Sequence, residues 1–183
     1  HLCNECLEEG PAGGFEAEVG ILFADVRGFT SFAETRSPTE SAKALERFYV
    51  VAGRAIIRHE GILDKLVGDE VMALFWPIVM DEEPCAAMVG TANDILDGVG
   101  YGAGDEPWLP VGIGLDFGRA YVGNIGGGES RDFTALGDVV NTAARLQGNP
   151  DPLLPTSVIS RSRPGRQGED RDWTNQTDYT TKF

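Results

Sequence analysis

Two aspartates sit where an apolar strand does not ordinarily carry a charge. Asp25 breaks the run VGILFADV (residues 19–26), and Asp69 separates two apolar runs in KLVGDEVMALF. Hard divalent cations such as Mg2+ or Mn2+ take oxygen ligands, and two carboxylates converging at one end of a sheet would supply them. An aspartate is equally at home in a turn, so spacing alone leaves both readings open. Asn141 and Arg145 are four apart and share one face of any helix that contains them. Cys3 and Cys6 form a C-x-x-C, but there is no second pair and no ligand spacing between His1 and His59, so it is at most half a zinc site.

These residues need elements to hold them. Residues 19–26 are almost continuously apolar and β-branched or aromatic, which predicts a strand buried on both faces. After a turn at Gly28, S-P-T-E (residues 37–40) has the form of a capping box with proline at the first helical position. Leu45, Phe48, Tyr49, Ala52, Ala55 and Ile56 then recur at three- and four-residue steps, predicting a helix to about Glu60, stopped by Gly61. Residues 61–67 and 71–76 are β-rich and read as a hairpin with its tip at Gly68-Asp69. Pro84 opens a second helix, with Ala87, Met88, Ala92, Ile95 and Leu96 on one side, ending near Gly98. VGIGLDFG and AYVGNIG read as two further strands meeting around Gly118-Arg119, followed by a short strand over 131–136 and a helix over 139–146 behind Gly137-Asp138. This order predicts an α+β fold, with helices packed on a largely antiparallel sheet.

Length and composition set the outer limits. A chain of 183 residues, 42% hydrophobic and 9% aromatic, suffices for one domain with a real core. Its net charge of −14 argues against a nucleic-acid or anionic-membrane partner, because each phosphate contact normally has to be met by Lys or Arg. No apolar run approaches the ~18 to 20 residues of a membrane span, and the start of the chain does not read as a signal peptide. Three cysteines, an odd count, suit a reducing compartment, and a cytoplasmic location is expected. The chain reads as a soluble piece of something longer. Residues 148–183 hold five basic and five acidic side chains, so the whole net charge lies in residues 1–147. That neutral, proline-containing end has few apolar side chains to bury and reads as a poorly ordered tail.

Four blocks, taken in order, carry a family resemblance. FADVRGFTSFAE, KLVGDEVMALF, GRAYVGNIG and FTALGDVVNTAARL together resemble the catalytic domain of class III nucleotide cyclases, over about residues 17–147. The resemblance implies a ferredoxin-like, palm-type antiparallel sheet and a catalytic domain over 17–160. A linker over 1–16 would precede it, and an atypical polar tail over 161–183 would follow. It also implies head-to-tail homodimers with active sites at the interface, metals drawn from one protomer and base-reading and transition-state residues from the other.

Carried over position by position, Asp25 and Asp69 would be the metal ligands, joined by the Val26 carbonyl, for two Mg2+ or Mn2+ ions per site. One ion would lower the pKa of the ribose 3′-hydroxyl, and the other would neutralise the leaving pyrophosphate. Gly28, Phe29 and Thr30 would face the triphosphate with backbone N–H groups. Lys65 would read the base: an ammonium only donates, which suits adenine N1 and conflicts with the N1–H of guanine, so ATP is the expected substrate. Its usual partner, an Asp, is replaced here by Thr134, whose hydroxyl can accept from an adenine amino group or donate to a guanine carbonyl. Asn141 would orient the ribose, Arg145 would meet charge on the α-phosphate, and Arg119 would contact the triphosphate. The lysine that in the family follows on a later hairpin has no clear counterpart, since Lys182 is the only one left. The resemblance thus implies an adenylate cyclase, with a guanylate cyclase or a catalytically weak regulatory cyclase-like domain as alternatives. A diguanylate cyclase shares the LVGDEVMAL hairpin but would leave Asn141 and Arg145 without a role.

Overall fold

The strand that carries Asp25 is the middle of the sheet. The computed structural model describes residues 13–101, 106–127, 130–148 and 158–162. Strand β1 spans Gly13–Val26, then come a short helix α1 (Phe29–Glu34), the long helix α2 (Pro38–Arg58) and the hairpin β2 (Ile62–Val67) and β3 (Glu70–Phe75). Helix α3 (Pro84–Val99), strands β4 (Val111–Gly127) and β5 (Ser130–Leu136), helix α4 (Asp138–Gln147) and strand β6 (Val158–Ser162) complete the order. The sheet runs β2-β3-β1-β4-β5, with β6 also paired to β4. All pairings are antiparallel except β4 with β6, which is parallel.

Period-two alternation along β1 separates two cores. Leu22, Ala24 and Val26 join Phe48, Ala52 and Ile56 of α2 and Met88, Ala92 and Ile95 of α3 in one cluster. Val19, Ile21 and Phe23 join Met72, Leu74, Val122, Ala135 and, from α4, Val139 and Ala143 in the other. The near-continuous apolar run is therefore the mark of a strand covered on both faces. Helix α2 starts on the expected capping box, Ser37 Oγ accepting from the Glu40 N–H and the Glu40 carboxylate accepting from the Ser37 N–H.

Two expectations are corrected. The strand begins at Gly13, not Val19, so residues 13–16 of the expected linker belong to the sheet. The expected turn at Gly118-Arg119 does not exist: β4 runs unbroken from Val111 to Gly127. The reason is β1, all 14 residues of which pair with Val111–Asn124, holding Gly118 opposite Val19 and Arg119 opposite Glu18. Along this strand glycine marks close packing at Gly112 and Gly114, whereas at Gly118, where a Cβ would come no nearer than 3.8 Å to Val139, it marks neither a clash nor a bend. An added Cβ at Gly114 would fall 2.1 Å from the Ala143 carbonyl oxygen, and one at Gly112 would fall 2.5 Å from that of Gln147. The glycines of VGIG thus let the backbone of α4 lie directly on β4. Residues 163–183, and with them Lys182, lie outside the described residues, as do Cys3, Cys6 and His1.

Gly114→Ala is expected to lower unfolding free energy by about 1–3 kcal/mol, the usual cost of overpacking a tight contact. Gly118→Ala, whose Cβ comes no nearer than 3.8 Å to Val139, is the control and is expected to be close to neutral. Urea unfolding followed by far-UV circular dichroism measures both.

Candidate active site

Asp25 lies at the end of β1, where the alternation that turns Val19, Ile21 and Phe23 toward α4 turns its side chain to the same face. Directly across the ladder is Glu70, the first residue of β3. Asp69 sits in the hairpin turn just before it, as expected, and the Val26 N–H donates to the Asp69 carbonyl at 3.2 Å, tying the end of β1 to that turn. A second tie comes from α2, where the Tyr49 hydroxyl donates to the Gly68 carbonyl.

Like charges opposite one another destabilise a sheet. Burial, then the charges of Asp69 and Glu70, push the Asp25 carboxyl up to about 6, against the weaker pull of a hydrogen bond from the Val26 N–H and the Arg27 charge. This end of the sheet is therefore short of positive charge. Glu70 is partly spoken for, because Gln147 Nε2 at the end of α4 donates to it at 2.6 Å. Among the described residues no group of three or more His, Cys, Asp or Glu side chains converges to hold a metal ion. What the chain offers a cation is the Asp25 and Asp69 carboxylates with nearby backbone oxygen. Such an open oxygen set fits Mg2+ or Mn2+, which keep coordination positions for water and phosphate.

Gly28 takes a left-handed conformation (φ 66°, ψ 27°), which turns the chain out of β1 and into α1. Phe29 and Thr30 form the first turn of that helix, whose N–H groups have no partner inside the helix. Asn141 and Arg145 share the exposed face of α4, opposite the buried Val139, Thr142 and Ala143. The Arg145 side chain is 72% exposed and stays on its own helix, its Nε donating to the Asn141 carbonyl at 3.1 Å. Arg119 lies mid-strand and 73% exposed, with a loose ion pair to Glu16 at 3.9 Å.

The two edge strands carry a second cluster. Lys65 pairs with Asp132, and Thr134 Oγ1 donates to Asp64 Oδ2 at 2.8 Å. Strands β2 and β5 are the ends of the sheet order, so these contacts require the sheet to curl until its edges meet. The structure thus brings Lys65 and Thr134 to one place, and Asp25 and Asp69 to another. Among the described residues no hydrogen bond or ion pair joins the two groups.

Sequence reasoning missed Glu70, Asp64 and Asp132. Glu70 was readable by stepping back in twos from Leu74 and Met72. Asp64 was not, because the register shifts between Leu63 and Lys65. Such a bulge breaks the alternation, so the neighbouring side chains of Asp64 and Lys65 both reach β5.

A sequence profile described as the adenylate and guanylate cyclase catalytic domain matches residues 15–153. The uncharacterized protein Rv1320c of Mycobacterium tuberculosis is 32% identical over 158 residues, covering 84% of this chain. The chain spans only 27% of that relative's length. Among solved structures, the guanylyl cyclase Cya2 superposes with a TM-score of 0.66 at 29% identity, covering 74% of this chain and 72% of that one. A bacterial light-regulated adenylyl cyclase superposes with a TM-score of 0.65 at 30% identity, covering 73% and 70%.

The crowding of carboxylates has a measurable sign. A carboxyl whose pKa is raised on folding costs stability once ionised, so the cost is absent below about pH 4 and complete above about pH 6. Asp25→Asn is therefore expected to raise the melting temperature of the chelator-treated protein at pH 7.5. The gain should vanish as pH falls to 4, as followed by differential scanning fluorimetry.

Proposed function

The chain belongs to the adenylate and guanylate cyclase catalytic domain family, and from that premise we propose that it converts ATP to 3′,5′-cyclic AMP and pyrophosphate in a homodimer with two interfacial sites. In this reaction the ribose 3′-oxygen attacks the α-phosphorus and loses its proton. The bond from the α-phosphorus to the bridging oxygen breaks, and pyrophosphate leaves.

The observation that carries the reading is the paired carboxylates at the end of β1, with Asp25 held at about 6 by burial and its acidic neighbours. Asp25 and Asp69, with the Val26 carbonyl, would hold two Mg2+ or Mn2+ ions. Bound there, the ions supply a more acidic 3′-hydroxyl and positive charge for the departing pyrophosphate. The first turn of α1, with Gly28, Phe29 and Thr30, presents N–H groups to the triphosphate. On the partner protomer Asn141 orients the ribose, and Arg145 meets the charge that grows on the α-phosphate. Lys65 donates to adenine N1 and Thr134 accepts from the adenine amino group. Arg119 is free enough to reach the triphosphate.

The two-protomer arrangement is supported by where the halves lie. Leu66 and Val67, beside Lys65 on β2, are exposed apolar side chains, as is Leu136, two residues beyond Thr134 on β5. Arg145 lies on the outer face of α4, its side chain 72% exposed. Both are surfaces that a second copy would cover. Guanylate cyclase activity is the second reading, favoured by the likeness to Cya2.

With Mn2+, the purified chain is expected to form cyclic AMP from ATP in preference to cyclic GMP from GTP, as resolved by liquid chromatography. Product from GTP alone would reject the role given to Lys65. Asp25→Ala and Arg145→Ala are each expected to lose about 10²–10³-fold in kcat. Mixed in equal amounts, they should recover up to about a quarter of wild-type activity, because half the symmetric dimers then hold one intact site. No recovery, with dimers verified by light scattering, would sink the shared site.

A further inference from the structure

We propose that Asp64 orients the Thr134 hydroxyl, making that position an acceptor that reads the 6-amino group of adenine. The inference rests on the reading above, in which Lys65 and Thr134 face the base. Thr134 is 7% exposed, and its Oγ1 lies 2.8 Å from Asp64 Oδ2. The Asp64 side chain is 1% exposed and has Lys65 Nζ 3.5 Å away. A carboxylate has no proton to give, so the hydroxyl must be the donor in this bond. A hydroxyl has one proton and two lone pairs. With the proton committed to Asp64, only accepting capacity is left for a ligand.

Beside it, the Lys65 ammonium has three protons, with carboxylates of Asp64 and Asp132 as neighbours. The pair therefore presents one donor and one acceptor side by side. Adenine offers the complement, an acceptor at N1 and a donor at the 6-amino group. Guanine offers the reverse at both positions, a donor at N1 and an acceptor at O6. Without Asp64 the Thr134 hydroxyl would be free to turn and donate, and half of the discrimination would go. Burial pushes the Asp64 carboxyl above the ordinary carboxylate range, while the Thr134 hydrogen bond and the Lys65 charge pull it back. Asp64 contacts no base in this scheme, so it is a positioning residue. The β2 bulge is what makes it available.

The test compares kcat/KM for ATP with that for purine riboside triphosphate, which keeps N1 but has hydrogen in place of the 6-amino group. Wild type is expected to favour ATP. Thr134→Val, which changes no charge and has no acceptor, should lose about 5- to 10-fold of that preference, the worth of one hydrogen bond. Asp64→Ala should lose a smaller part of it, about 2- to 5-fold, because the freed hydroxyl still accepts but is no longer held in that orientation. Asp64→Asn, whose amide oxygen still accepts, should keep most of it, and the double variant Asp64→Ala/Thr134→Val should lose no more than Thr134→Val alone. A fall in activity on both nucleotides with the ratio unchanged in Asp64→Ala, while Thr134→Val lowers the ratio, would overturn the role of Asp64 and leave the base-reading assignment standing. A wild type that does not distinguish the two nucleotides, or that uses only GTP, would overturn the assignment on which the inference rests.

Discussion

Strand β1 is covered on both faces and bonded on both edges, yet it ends on an ionised side chain, and the rest of the molecule is arranged around that. Its 14-residue ladder with β4 sets the length of the sheet, and alternation along it assigns α2 and α3 to one face and α4 to the other. Two cores result, and neither can form without the strand between them. A strand so enclosed can tolerate a carboxylate only where the sheet ends and water enters. Asp25 occupies that place. Because β3 and its turn arrive there too, the carboxylate meets two more negative side chains, whose charge outweighs that of Arg27. The arrangement costs stability while these carboxylates stay ionised side by side.

The net charge of −14 takes on a different meaning in that light. It argues against a surface suited to a polyanion, which needs a run of basic side chains. It does not bear on a single triphosphate held through divalent ions, since the ions are the largest local charges in such a site. Three of the chain's cations are engaged locally: Arg145 lies against its own helix, Arg27 donates to the Gln147 carbonyl at 3.3 Å, and Lys65 lies between two aspartates.

The edge strands obey a different constraint from the centre. A curled sheet brings β2 against β5, and polar side chains there must satisfy each other or a ligand. The Lys65–Asp132 and Thr134–Asp64 pairs do the former in the single chain. Since donors and acceptors are already assigned, whatever binds there meets a pattern and not merely a cavity. The exposed apolar neighbours Leu66, Val67 and Leu136 give the same edges a surface that another protein chain could cover.

Local physics made much of this legible in the sequence. Apolar periodicity and the capping box located α2, the apolar run showed that β1 is buried twice over, and Gly68-Asp69 between two β-rich runs marked the hairpin. Those features depend on residues a few positions apart, so the chain itself carries them. Gly118 misled, because residue type alone does not separate a glycine that an unbroken strand merely tolerates from one needed for a turn, or either from Gly112 and Gly114, which let α4 approach β4. Strand order, the Glu70 charge facing Asp25 and the meeting of β2 with β5 depend on residues far apart in the chain. So does the side to which Asp64 points, since a bulge shifts register without leaving a pattern in residue types. The sequence by itself determined which side chains could do chemistry; only the tertiary structure decided which of them share a charge, a proton or a face, because those are properties of distance in space.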